Sequence, residues 1–492
     1  MFRIAWLLSV LLLTPIAAAG PVLFPAKQAY LPTSRPDRVI LTWTADPSTS
    51  QAVTWRTDTV TEIGLAQLAL SEDGPNFDPI SKDKKSSQVV RTITATTQLL
   101  KTDLSEAHYH SAEFLNLIPK TKYVYRVGDG KNWSEWFAFE TASSTAEPFG
   151  FIYFGDAQND LKRHWSRVVR GAYSDMPKAK FIIHAGDLIN SGSRDEEWGE
   201  WHGAGSWING MVPSFPTPGN HEYGGKSRAV SETVAGTAAT VAEKKPGSQL
   251  TAHWRATFAL PTHGPVGLEE SAHYMDYQGV RFVSLNSNEK QKEQVKWLDS
   301  VLENNPNRWT VLTFHHPIYS PAKNRDNKTL RELWRPIIDK HGVDLVLTGH
   351  DHTYGRSGLM REDNTLTGER SRSERGTVYV VSVSGPKMYS LNEDTDWMKA
   401  SAAGTQLYQL IRIDGDKLHY QARTAKGDVY DEFELRKQTD GRNIMIERET
   451  LDGERGSTPQ PSRQQLLYAT AAMAVLALGY AAFRMVRARS TV

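Results

Sequence analysis

The sequence predicts a multi-domain protein, with an all-β sandwich followed by a layered α/β domain and an apolar segment at each end of the chain. Three observations carry this. From Pro36 to Thr141 short β-type runs alternate with turn residues, as in RVILTWTADPSTSQAVTWRTD. After TASSTAEP, residues 141–148, continuous apolar runs alternate with amphipathic helical stretches such as NEKQKEQVKWLDSVLENN, the pattern of strands buried on both faces. Residues 4–13 and 466–483 carry no charge.

The first 19 residues combine a basic start at Arg3, the apolar run from Ile4 to Leu13 and the small-residue exit Ala17-Ala18-Ala19. This is the pattern of a cleaved secretory signal, with an uncleaved anchor as the competing reading. The sandwich is placed at residues 30–145, with about seven strands. Within it, LIPKTKYVYRVGD is similar to a strand-opening stretch of fibronectin type III modules, with Tyr123 and Tyr125 as core or corner residues. The α/β domain is placed at 147–440, and it contains a long small-residue insertion at 224–250, read as a surface excursion. Residues 441–465 are polar and rich in Pro, Gly and Ser near their end, as suits a tether. Leu466 to Phe483 would be roughly 27 Å long as a helix, just enough to span a bilayer. Arg484, Arg487 and Arg489 follow, which places the tail 484–492 on the cytoplasmic side. An alanine-rich helix packed on the domain, or a sorting signal later removed, would also fit this segment. Together the two ends predict an exported protein, held in the cell-envelope membrane with its α/β domain extracytoplasmic.

Composition narrows the function. Lys and Arg total 57 against 56 Asp and Glu, so no excess of charge points to nucleic acid. With no cysteine there is no disulfide, thiol nucleophile or thiolate ligand, and any metal must be held by His, Asp, Glu, Asn, Gln or Tyr. The polar residues then stand out by position. FGFIYFGD runs into Asp156, AKFIIHAGD into Asp187, WTVLTFHH into His315, and VDLVLTGHDH into His350 and His352. PTPGNHEYGG adds Asn220 and His221 on a glycine-bounded loop. Ligand sites in open α/β sheets collect at the carboxyl ends of strands, so these ends can converge on one crevice, and their O and N donors suit Mn, Fe or Zn.

Two GD turns, GNHE, an apolar strand running into His, and GHDH, in that order, resemble the calcineurin-like metallophosphoesterase superfamily. GHDHTYGRS, EQVKWLDSVL and GTVYVVSVSG narrow the resemblance to purple acid phosphatases and their bacterial relatives, which also carry a leading fibronectin-like sandwich. The likeness spans about residues 30–440. It implies a four-layer α/β domain, two packed sheets flanked by helices. It also implies two divalent metal ions bridged by Asp187, one held by Asp156 and His352 and the other by Asn220, His315 and His350. Such a pair acidifies a shared water, so that hydroxide attacks a phosphate ester, with His221 protonating or stabilising the leaving alkoxide. The expected activity is phosphomonoester hydrolysis. A phosphodiesterase or nucleotide pyrophosphatase is the enzymatic rival, and an inactive adhesion or scaffold protein the rival of another class.

Two positions depart from the family. Asn190 stands where purple enzymes have a tyrosinate, which predicts a colourless protein using Mn, Zn or Fe(II). Gln158 stands two residues after the first aspartate and is a further candidate ligand through its side-chain carbonyl. Alternation along the strand is expected to turn His316 away from the metals, and His184 is read as a core histidine. Trp198, Trp201, His202 and Trp207 are read as core aromatics of a structured loop in preference to a base-stacking surface. Arg356 and the arginines of REDNTLTGERSRSERG are read as a solvated surface, with phosphate steering as the lesser alternative.

Overall fold

The computed structural model describes residues 25–74, 90–224, 249–361, 376–393 and 395–447. The leader, most of the 224–250 insertion, the arginine-rich loop at 362–375 and the proposed membrane segment lie outside these residues. Among the described residues no helix is long and apolar enough to cross a membrane.

Among the described residues the sandwich has eight strands in two four-stranded antiparallel sheets. The stretch RTITATTQLLK divides at Ala95: Arg91–Thr94 pairs with Leu65–Leu70 in one sheet, and Thr96–Lys101 with Glu106–Leu115 in the other. Tyr123 and Tyr125 are buried with Phe114, Phe137 and Phe139 between the sheets, as aromatic core residues should be. Tyr125 also donates its hydroxyl to the Gly210 carbonyl at 2.7 Å, so this core touches the α/β domain directly. A second bond from the sandwich runs from Thr42 Oγ1 to the Ala259 carbonyl, and Arg38 and Arg56 both reach the buried carboxylate of Asp195.

Among the described residues the α/β domain is built on two seven-stranded sheets, beside a short two-stranded pair, Tyr223–Gly224 with Gln249–Leu250. Phe149–Phe154 lies inside the first, parallel to Ile182–His184, which is itself parallel to Ser214–Pro216. The second has Val280–Ser284, Trp309–Thr313, Leu345–Thr348 and Val378–Val381 in parallel. Side chains such as Phe151, Ile183, Phe282, Val311 and Leu347 fill the space between the sheets. Ser166–Asp175 and Asp195–Asn209 cover the outer face of the first sheet, and Glu293–Glu303 and Lys328–His341 that of the second. The result is the expected four-layer order. Its last strand, Asn443–Glu447, pairs with Val429–Lys437, so the sheet continues into the stretch read from composition as linker from residue 441. The alternation there is too short to be told from a polar tether in the sequence alone.

Candidate metal centre

Every strand just named as parallel runs toward the same edge of its sheet, and the loops leaving those ends carry the candidate ligands. Asp156, Asp187 and Asn220 leave the first sheet; His315, His350 and His352 leave the second. A single parallel bridge between Asp156 and Val383 joins the two sheets at this edge. The turns are tight. Gly186, Asp187, His350 and His352 all have positive φ, a conformation that costs non-glycine residues energy and is found where surrounding structure enforces it. Gly219 has to be glycine for another reason: a Cβ there would lie 2.2 Å from Asp187 Oδ1 and 2.4 Å from the Asp187 nitrogen.

The polar atoms meet in a small volume. His315 Nε2 is 3.2 Å from Asp187 Oδ2, 3.0 Å from Asn220 Oδ1 and 3.1 Å from His350 Nδ1. His352 Nε2 is 3.3 Å from Asp156 Oδ2 and 2.9 Å from Gln158 Nε2. Gln158 Nε2 also donates to Asp187 Oδ2 at 3.0 Å. Asp156, Gln158, Asp187, His315 and His352 are buried, His350 and His221 are partly exposed, and Asn220 opens to solvent.

The proton positions on the histidines decide what this cluster needs. His315 Nδ1 lies 2.9 Å from the Ala185 carbonyl and His352 Nδ1 lies 3.0 Å from the Lys387 carbonyl, acceptors that require the N–H on that side. In its neutral form each imidazole would therefore turn a lone pair at Nε2 toward a carboxylate oxygen, an arrangement that is repulsive unless a proton or a metal cation lies between them. Asp156 Oδ2 and Gln158 Oε1 are, moreover, buried without a hydrogen-bond partner. Carbonyl-oriented imidazoles, carboxylates and orphaned oxygens are the chemistry of divalent-metal ligation, and the residues present fit such ions. Asp156, Asp187 and His315 form one group able to hold a metal, and His315, His316 and His350 a second.

Electrostatics lead to the same point. Burial pushes the Asp156 carboxyl up to about 7. Although burial opposes its charged form, the Asp187 and Asp156 carboxylates carry His315 up to about 9, while burial and the nearby Lys387 take His352 down to about 3. Burial also opposes ionisation of Asp187, yet His315 and His221 hold it well below the usual carboxylate range. Protons on this cluster take the part that metal cations fill in a loaded site.

Several residues acquire roles that the motifs did not show. Glu222 is fully buried and accepts three backbone N–H groups, from Gly219 at 2.6 Å, Asp187 at 2.9 Å and Leu188 at 2.7 Å. It therefore ties the GD and GNHE loops together; its place at the end of GNHE was the available signal. Asn190 offers its backbone carbonyl to His221 Nδ1, which fixes the His221 proton on that side and leaves Nε2 on the other, 3.9 Å from Asp187 Oδ2. His316 is not turned away. Its ring centroid is 4.1 Å from that of His350, and its Nδ1 is 2.8 Å from Ser287 Oγ. The strand ends at Thr313, so the alternation that would have reversed the side chain has already stopped. His184 is a core histidine among Phe154, Trp165 and Trp201. Trp198 and Trp201 are buried core residues of a helix, and Trp207 packs edge-on against Tyr173. Arg356 is no surface residue: it is buried, bonded twice to Asp431 and paired with Glu447.

Residues 36–141 match the purple acid phosphatase N-terminal domain and residues 151–354 the calcineurin-like phosphoesterase domain. An uncharacterized protein of Mycobacterium tuberculosis is 26% identical over 68% of this chain and 66% of its own length, so the chain spans just under two thirds of that relative. Human acid phosphatase type 7 is 24% identical over 71% of this chain and 78% of its own. Among solved structures, a purple acid phosphatase from yellow lupin seeds superposes with a TM-score of 0.68 at 17% identity, covering 83% of this chain and 75% of the lupin chain, a likeness of fold.

Proposed function

The chain belongs to the calcineurin-like metallophosphoesterases, in the branch with a purple acid phosphatase N-terminal domain, and from that premise we propose that this metal-dependent hydrolase acts on phosphomonoesters. The observation that carries the reading is the pair of buried imidazole nitrogens, His315 Nε2 and His352 Nε2, turned by carbonyl acceptors at Nδ1 toward the carboxylates of Asp187 and Asp156. In this reading Asp187 would serve both of two divalent ions, with Asp156, His352 and Gln158 holding one and Asn220, His315 and His350 the other. When bound, such ions supply a nucleophile at neutral pH and neutralise phosphoryl oxygens.

The rest is done by the chain. Glu222 holds the Asp187 and Gly219 backbones in register. Asn190 keeps the His221 proton on Nδ1, so that Nε2 is the nitrogen that can pass a proton to the leaving alkoxide. The absence of a tyrosine at 190 supports a colourless Mn, Zn or Fe(II) protein. Residues 1–19 and 466–483 support export and retention in the envelope membrane, which cell fractionation would test directly.

The test is to purify the protein without chelator and measure metal content together with turnover of aryl and bis-aryl phosphates. Wild type should hold about two metals per chain and prefer the monoester. Asp187→Ala should lose metal and turnover together, whereas His221→Ala should keep metal and lose about 10²–10⁴ in kcat. Preference for the diester would move the assignment to a phosphodiesterase. A metal-free protein that stays inactive after Mn or Zn is added would leave the scaffold reading.

A further inference from the structure

Arg325 lies in no motif, yet it reaches the site from the loop between Trp309–Thr313 and the helix Lys328–His341. Three neighbours hold it. Its Nε pairs with Asp351 Oδ1 at 2.8 Å, its guanidinium carbon is 5.2 Å from the centroid of the Tyr389 ring, and its Nη2 donates to His350 Nε2. The Tyr389 ring in turn leans on His352, centroid to centroid 4.6 Å. The Arg325 side chain is 29% exposed, so it faces the opening of the site and not the core.

The contact with His350 fixes a proton. A neutral imidazole that accepts at Nε2 carries its hydrogen on Nδ1, the atom 3.1 Å from His350's neighbour His315 Nε2. Nδ1 is also the atom that faces the candidate ligands. For His350 to offer Nδ1 to a metal, its proton must move to Nε2, and an N–H would then point at the N–H of Arg325. Ligation and the Arg325 contact therefore exclude each other. Asp351 and Tyr389 are unaffected by that exchange and keep the guanidinium at the mouth of the site.

We propose that Arg325 leaves His350 when a metal is bound there and takes up a non-bridging oxygen of the substrate phosphoryl group, making it the residue that selects phosphomonoesters over diesters. The proposal rests on the dinuclear phosphatase reading given above. A monoester phosphoryl group has three non-bridging oxygens and a diester two. With two oxygens directed to the ions, only the monoester keeps an anionic oxygen for the planar, charge-assisted donors of an arginine. A diester presents there an uncharged ester oxygen and its substituent. Lys387, with Nζ 5.3 Å from the centroid of the same Tyr389 ring, adds positive charge on this side.

The experiment compares wild type, Arg325→Ala and Arg325→Lys, each loaded with Mn²⁺. Three quantities are measured: Mn²⁺ affinity by equilibrium dialysis, the dissociation constant of inorganic phosphate by calorimetry, and kcat/KM for an aryl phosphate and its bis-aryl diester. Arg325→Ala should weaken phosphate binding and monoester kcat/KM by about 10- to 100-fold, change the diester by less than about threefold, and hold Mn²⁺ at least as tightly as wild type. Arg325→Lys should recover part of the phosphate affinity, because it restores charge without the fork. Equal losses on both esters would overturn the selection while leaving the phosphatase reading intact. Weakened Mn²⁺ binding would overturn it as well, since Arg325 would then be a prop for His350. A wild type that turns over neither ester would overturn the phosphatase reading itself.

Discussion

Asp195→Asn tests how the sandwich is joined to the α/β domain. Asp195 is fully buried at the first turn of the helix Asp195–Asn209, where its Oδ1 accepts from Arg38 Nη1 at 2.6 Å and its Oδ2 from Arg38 Nη2 at 3.0 Å and Arg56 Nη1 at 3.3 Å. Arg56 keeps a second carboxylate, Asp37, after the substitution, with contacts of 2.6 and 2.8 Å. Arg38 keeps the Tyr109 hydroxyl at 2.9 Å, the backbone carbonyl of residue 195 and one neutral amide oxygen, but no anion. The change thus leaves one buried guanidinium without its counter-charge, and breaking a buried ion pair from one side costs about 3–5 kcal/mol. Burial opposes ionisation of Asp195, but His253 and the two arginines hold its carboxyl well below the usual range. A depressed carboxylate contributes stability above its unfolded pKa of about 4 and loses it only in stronger acid. The deficit of the variant should therefore be flat from pH 5 to 8. Urea denaturation followed by tryptophan fluorescence reads it, and replacing both Arg38 and Asp195 by apolar residues should recover much of the loss. A deficit below about 1 kcal/mol, or one that appears only under alkaline conditions, would refute the reasoning.

Two further outcomes follow from packing. His184 and His273 are held neutral by burial, with pKa values pushed down to about 3, and His110 by burial and His108, to about 4. The unfolded chain binds their protons below about pH 6.5 while the folded one does not, so stability should fall as pH drops from 6.5, by about 2 kcal/mol per histidine at pH 5. Thermal melts of wild type and His184→Phe across pH 5–7 would show it, the variant having the shallower slope; equal slopes would count against the buried neutral histidine. Gly219→Ala would place a methyl 2.2 Å from Asp187 Oδ1, a contact that only displacement of the Asp187 or Asn220 loop can relieve. Metal affinity should drop at least about tenfold while the urea midpoint changes little, which dialysis and denaturation together would check.

Much of this protein could be read from local pattern because backbone physics is local. Alternation marked the sandwich, continuous apolar runs marked buried parallel strands, and a polar residue directly after such a run marked a strand end facing a crevice. Asp156, Asp187, His315, His350 and His352 were legible in that way, and the structure brings them together with Asn220 and Gln158. Periodicity failed where an element stopped early: it placed His316 on the far side of a strand that ends at Thr313.

What only the tertiary structure decided are the pairings between residues far apart in the chain. Arg325 meets His350 and Asp351, Glu222 binds the backbone of Asp187, and Arg356, which looked like a surface charge beside GHDH, is buried against Asp431 and Glu447. The sequence by itself determined which atoms of the site can bind a cation and in what order the strands deliver them. The charge state of those atoms, the side on which each imidazole carries its proton and the arginine that shares the opening depend on neighbours contributed by other strands and loops. Such contacts leave no periodic trace, because two side chains that meet through space impose no spacing on the residues between them.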